Sequence, residues 1–419
     1  MKFGRFDYAI FALFMAYSVC SLIIPVVLVE VSKDLNFDLA QGGMSSGGIL
    51  QLGRSLPMVG AMLVCGMLSS RFGLRRSLAV AAVLMMLGIV MAAMSQWYWM
   101  LLAVLLIAGL GEGLVEGLAT PFVGNLHKDD EPGRYMNVSH GFWSVGIFIW
   151  VPLLAFLLDK NVSWRFLCCL VGAGALIPAV MLFCRGKKPV KQLEGNGRFD
   201  AAGAVKKVGK AVKSKRFWLF FAAMFFAGGG EFGITFWSAA LLRLEFDASP
   251  FIGGVATSVF SAGMMIGRTS SGIFVRQHQL PILVMIAAVA GSLLAVFFGF
   301  IATVSGVLVL LFLAGLASAP FWPSVQSYCV DRMPEYDSTT LYILLSCAGV
   351  PGCGVLSVVM GKVGDMTNLR YAFFVVPICY ILLAILVGWD YFICGGRRTS
   401  AQLAAGSVGK PDPLPGAQS

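Results

Sequence analysis

Apolar stretches of twenty residues or more follow one another along this chain with only short polar breaks, and that pattern leaves few folds open. About 20 apolar residues wound as a helix rise roughly 30 Å, the thickness of a bilayer's hydrocarbon core. Inside that core every backbone N–H and C=O must bond within its own segment, so each stretch is expected to be a transmembrane helix. The spans are placed at 8–30, 45–69, 77–96, 98–122, 136–158 and 164–184, then at 217–242, 250–275, 280–302, 304–329, 338–363 and 370–394.

Arg185 to Arg216 separates the two sets of six. It is rich in Lys and Arg, carries only Glu194 and Asp200 as carboxylates, and belongs in water. The two sets also echo each other. Gly47-Gly48 falls on Gly253-Gly254, Gly66 on Gly272, and Arg165 on Arg370. Gly117-Leu-Ala with Pro121-Phe122 likewise falls on Gly315-Leu-Ala with Pro320-Phe321. The expected fold is an all-α membrane protein, with twelve transmembrane helices in two six-helix bundles related by pseudo-two-fold symmetry. Its parts are an N-terminal bundle over 1–184, a basic cytoplasmic linker over 185–216, a C-terminal bundle over 217–394 and a disordered tail over 395–419.

With 58% hydrophobic and 12% charged residues, little chain remains for a water-soluble catalytic domain. The net charge of +10 does not point to nucleic acid, because the basic residues lie between spans and follow no nucleic-acid motif. Of the 31 Lys and Arg, about 23 fall in segments on the side of the N-terminus and about 6 on the other. That bias predicts both termini in the cytoplasm and a location in the cell (inner) membrane. The run from Tyr8 to Val29 outlasts the apolar core of a signal peptide, lacks an A-x-A-like end and should remain as the first span. The ten cysteines sit in or beside apolar runs without metal-ligand spacing and read as small hydrophobes. No phosphate-binding loop, cofactor fingerprint or metal set is present, so neither cofactor nor metal is expected, nor an enzyme.

Five ionisable side chains lie deep in spans: Arg54, Glu112, Glu116, Glu231 and Arg268. Each costs at least a few kcal/mol there, about 3 by insertion scales, unless it faces a partner or a wet cavity. Glu112 and Glu116 are one helical turn apart and are expected to share a face, so that one of them holds a proton and can exchange it. Arg54 is within bridging reach of Glu112. Glu231 follows three glycines near the midplane. Arg268 lies nearer the inner end, where it is expected to snorkel or hold a gate. Trp143, Phe232, Phe236, Trp237, Phe321 and Trp322 offer flat faces to a sugar ring, and Asn125, Asn137, His140, Ser144, Gln326 and Ser346 offer polar groups.

The loop after the second span, Gly66-Met-Leu-Ser-Ser-Arg71-Phe-Gly73-Leu-Arg75-Arg76, resembles the signature of the major facilitator superfamily, with Ser70 where an acidic residue is usual. Its arginines can cap neighbouring helices at the inner end. Other stretches are similar to the fucose permease group of sugar:proton symporters. These are Glu116 five residues before Pro121, His140-Gly-Phe-Trp-Ser-Val-Gly146, Gly230-Glu231 with Trp237, Gly267-Arg268, Ala319-Pro-Phe-Trp-Pro323 and Ala348-Gly-Val-Pro-Gly-Cys-Gly354. The resemblance places that group's fourth-span membrane carboxylate at Glu116. The group's first-span carboxylate has no counterpart, since Ser21 precedes Pro25.

The expected activity is secondary active transport of a small polar solute, a monosaccharide or polyol, by proton symport with alternating access at the midplane. Glu116, Glu231, Glu112, Arg54, Trp143, Asn125, Trp237, Trp322 and Gln326 are the candidates for solute or proton. Gly66, Arg71, Gly73, Arg75 and Arg268 are the candidates for the gate or inner loop. The expected partners are the solute, protons and the lipid bilayer, with the protein a monomer. Two alternatives stand beside this: a proton-coupled antiporter exporting drugs or organic ions, and a non-transporting sensor that uses the basic linker.

Overall fold

The computed structural model describes residues 2–127, 132–184 and 200–396. The first half holds α1 (Arg5–Asp34), α2 (Met44–Phe72), α3 (Leu74–Ala93), α4 (Tyr98–Leu126), α5 (Pro132–Asp159) and α6 (Trp164–Phe183). A short linker helix, α7 (Ala201–Val212), leads into α8 (Lys215–Glu245), α9 (Pro250–Phe274) and α10 (Leu280–Val296). Then come α11 (Val304–Ser318), α12 (Phe321–Arg332), α13 (Ser338–Met366), α14 (Leu369–Ala372) and α15 (Val375–Gly388). Regular structure among the described residues is helical throughout, and twelve segments are long and apolar enough to cross a bilayer. Each matches an expected span. The linker over 185–199 and the tail over 397–419 lie outside the described residues.

Two expected continuous spans are broken, and proline accounts for both. Proline has no N–H and its ring crowds the carbonyl four residues back. Pro323 thus frees the carbonyl of Ala319, where α11 gives way to α12, and Pro377 denies that of Phe373 its helical donor, so that it accepts the Val376 N–H at 3.0 Å instead, where α14 gives way to α15. Spans also overrun their apolar cores. The first begins at Arg5 and ends at Asp34, since polar helix ends can extend into the headgroup region.

The repeat is visible at single side chains. Arg165, beginning α6, pairs with Asp34 at the end of α1, donates to the Ser95 carbonyl at 2.9 Å and lies 4.4 Å over Trp164. Arg370, in α14, pairs with Glu245 at the end of α8 at 3.7 Å, donates to the Ile301 carbonyl at 3.4 Å and lies 4.3 Å over Phe246. Each arginine ties the last span of its half to the first.

These clamps mark the far end of the molecule; the basic end carries the chain start and α7. The halves meet at the far end. Arg243 of α8 grips Glu30 of α1 through two bonds of 2.7 and 2.5 Å. Asp365 of α13 accepts the N–H groups of Met44 and Ser45, both at 2.8 Å, at the start of α2. Between them α2 lies so close to α13 that a β-carbon on Gly48 would sit 2.5 Å from the Ser357 carbonyl oxygen. α5 packs on α9 in the same way. Toward the basic end, His140 of α5 is exposed although Arg268 of the other half is within electrostatic reach. The halves therefore part there, around a cleft closed at the far end.

Candidate solute site between the halves

The cleft brings together side chains from α1, α4, α5, α8, α9 and α13. Glu116 is half-buried on α4 and faces the Tyr17 hydroxyl of α1 and Ser346 of α13, so it touches both halves. Glu231, on α8, is 8% exposed. Its Oε1 accepts from Arg268 Nη2 at 2.9 Å, while its Oε2 is buried with no hydrogen-bond partner. Such an oxygen keeps much of its desolvation penalty until a donor reaches it. Arg268 also donates through Nε to the Ala319 carbonyl at 3.2 Å, the oxygen that Pro323 left free. Its charge acts on Glu231, Glu116 and His140 alike. His140 Nε2 lies 2.8 Å from the Thr120 hydroxyl, and its ring rests 4.6 Å from that of Phe14.

Arg268 thus lies at the cleft in this structure rather than snorkelling to the inner surface. A long side chain buries its charge where an acid and a free carbonyl receive it, and both are at the cleft. Glu112 and Glu116 face different partners in this structure. Glu112 turns into the first bundle, where both its oxygens meet Arg54, one at 2.8 Å from Nε. Arg54 also donates to the Ser21 and Cys20 carbonyls, each at 2.8 Å. With exposures of 2% and 1%, the ion pair is sealed and joins α1, α2 and α4. No solute can reach it in this state.

The remaining candidates divide. Gln326 Nε2 bonds the Ser346 hydroxyl at 3.1 Å, beside Glu116. Trp143 and Trp322 are half-buried on opposite halves, and Trp322 packs on Gly349. Asn125 is exposed near the basic end of α4. Trp237 is fully buried, its indole donating to the Ser357 carbonyl at 3.2 Å, and Phe236 and Phe321 are buried as well. Packing claims all three, which removes them from the cleft. Asn137's side chain lies outside the described residues. Tyr17 and Thr120 are the additions sequence reasoning missed; a tyrosine in the middle of an otherwise apolar first span was the available signal. A separate groove of about 720 Å³ between α10 and the final turn is lined by Ile282, Met285, Ile286, Val289, Leu293 and Phe392 and offers no charge to a polar solute.

The sequence description of the Major Facilitator Superfamily matches residues 9–346. The chain belongs to the Major Facilitator Superfamily. It is therefore a multi-pass membrane protein of a transporter family, not an enzyme. The superfamily signature folds as one unit here. Gly73 links α2 to α3 at φ +83°, a backbone geometry open mainly to glycine, and its N–H bonds the Ser69 carbonyl at 2.8 Å. Arg75 is buried and donates to the carbonyls of Leu182 and Phe183 at 2.5 and 3.0 Å, capping α6. Gly66 accepts from the Ser69 hydroxyl at 3.1 Å, and Arg71 is exposed, 5.5 Å over Phe72.

Among solved structures the chain is similar to the nucleoside transporter NupG, with a TM-score of 0.72 at 17% identity over 93% of this chain and 98% of that one. It is also similar to the Escherichia coli fucose:proton symporter FucP, with a TM-score of 0.64 at 17% identity over 91% and 98%. At those identities the likeness is one of fold. The efflux pump dotC of Dothistroma septosporum is 26% identical over 223 residues, 52% of this chain, and the match spans about a third of that pump, 35% of its length.

Proposed function

We propose that the protein carries a small polar solute, a monosaccharide or polyol, by symport with protons through alternating access. The cross-cleft set of Glu116, Glu231 and Arg268 is the observation that supports this most. Two carboxylates against one arginine, among the described residues, leave the site one positive charge short. A proton on a carboxylate removes the cost of enclosing that charge, so the cleft closes more readily when loaded. Hydroxyls of the solute would meet the carboxylates, Arg268 and Gln326 while Trp143 and Trp322 face the ring. The basic end is the cytoplasmic one in this reading, by the distribution of Lys and Arg. The structure is then inward-open, and one chain holding both halves works as a monomer.

The test is uptake into proteoliposomes of a labelled panel of sugars, polyols and organic cations, with and without an acid-outside pH gradient. Gradient-driven accumulation of a sugar or polyol supports the proposal; accumulation of none of them overturns it. A second reading, proton-coupled export of an organic cation, is favoured by the same acidic excess and by the match to an efflux pump. It predicts that protons and the cation move in opposite directions in the same vesicles.

A further inference from the structure

The apolar stripe of the linker helix α7 is covered along one edge and bare along the other. One face docks on the second half. Ala211 is buried, Lys207 meets Asp337 at 3.1 Å, and Lys210 donates to the Glu335 carbonyl at 3.2 Å while lying 5.1 Å over Tyr336. At about 100° per residue the apolar stripe continues past this contact to Ala201, Val205 and Val212. Val205 is 71% exposed. Beside that edge stands Trp218, in the first turn of the α8 span, its indole donating to the Val212 carbonyl at 2.8 Å and its ring 52% exposed. An exposed tryptophan at the end of a transmembrane helix sits at the level of lipid headgroups. Val212, about two turns along the stripe from Val205, connects that edge to it. Lys206, Lys213 and Lys215 border the same edge, all exposed and in no ion pair among the described residues.

We infer that α7 is an in-plane anchor for an anionic lipid leaflet, seating its Val205 edge at the boundary of the acyl chains and holding lipid phosphates through Lys206, Lys213 and Lys215. A helix facing water alone would leave Val205 and Trp218 both unburied. A soluble acidic partner would match the lysines but not the tryptophan's depth. The combination of apolar edge, interfacial tryptophan and flanking lysines is the one by which amphipathic helices bind charged membranes. The anchor reaches the moving parts, because α7 holds Asp337, which caps α13 by accepting the Thr340 N–H at 2.9 Å. α13 carries the Asp365 contact of the far end.

The experiment is hydrogen–deuterium exchange over residues 201–213 of the full-length protein, in nanodiscs of phosphatidylcholine alone or mixed with phosphatidylglycerol. Each lysine near a charged surface is worth roughly fivefold in binding, so exchange in the mixed discs should slow by tenfold or more. High salt and the K206Q/K213Q/K215Q variant should each abolish the slowing without lowering the melting temperature. Equal exchange in the two kinds of disc overturns the inference, as does slowing that survives in the triple variant. So does slowing reproduced in neutral detergent by inorganic phosphate, which would make the lysines a site for a free anion. None of these readouts requires the transported solute.

Discussion

Removing the charge of Asp365 should open the far end. Its carboxylate accepts two backbone N–H bonds of 2.8 Å from the start of α2, across the boundary between the halves. Hydrogen bonds to a charged group are worth about 1.5–3 kcal/mol each, and an anion at a helix N-terminus adds about 0.3–1. Asp365 is half-buried, which argues for the low end of both ranges. Asp365→Asn keeps one acceptor oxygen and loses the other bond and the charge, a loss of about 2 kcal/mol, or roughly 30-fold in the closed-to-open ratio. Arg243→Gln, which breaks the partly exposed pair with Glu30, should cost less, about 1 kcal/mol or roughly fivefold. Spin labels at Gln41 and Lys362, both exposed, would report the separation once Cys169, Cys184 and Cys394 are replaced by serine. A long-distance population should grow more in D365N than in R243Q. A distance distribution in D365N that matches the parent would refute the reasoning, since the two bonds would then hold nothing shut.

Other substitutions test the site and its frame. Glu116→Gln should uncouple uptake from the pH gradient while solute exchange persists; gradient-driven accumulation at the parent level would show that the proton sits elsewhere. Arg54→Met should lower stability by about 3–5 kcal/mol, because Glu112 would be left as an uncompensated buried charge. The double variant Arg54→Met/Glu112→Leu should recover much of that in thermal unfolding, and no recovery would mean that the pair is not the sealed strut described. Pro323→Ala should return the Ala319 carbonyl to its helix and loosen Arg268 from the cleft, visible as weaker solute binding with little change in melting temperature. At α7, burial works against ionisation of Asp337, but the Thr340 hydroxyl, the Thr340 N–H and the Lys207 ammonium outweigh it and hold the carboxyl below its ordinary value. A depressed carboxyl contributes its stabilisation above the unfolded value and loses it as pH falls, so α7 should stay docked at neutral pH and release only below about pH 4. Exchange over α7, corrected for its intrinsic pH dependence, that shows no loosening once the pH is taken below that value would contradict the assignment.

The twelve spans could be read from the sequence because hydrocarbon makes one demand of every segment, and the echo of Arg165 in Arg370 proved to be a pair of matching clamps. The site was legible as a set of expensive charges but not as an arrangement. Arg268 lies toward the basic end by helical rise, yet Glu231 and a carbonyl vacated by a proline four residues further on draw it to the middle. Spacing put Glu112 beside Glu116 on one face, and their partners then parted them, Arg54 drawing Glu112 into the bundle while Glu116 faces Tyr17 and Ser346. Trp237 and Trp143 look alike as letters; only packing decides which remains within reach. The helix α7 gave little warning, because a dozen residues with two glycines and three valines are too short to be a stable helix alone.

The arginine clamps differ from the Arg243–Glu30 contact in one respect that bears on turnover. Both arms of each clamp belong to a single half, so the proposed swing of one half against the other would leave them untouched, whereas Arg243 and Glu30 would have to separate at every stroke. Weakening Arg165 or Arg370 should therefore shorten the protein's lifetime under heat while its cycling speed holds, and weakening Arg243 should do the reverse.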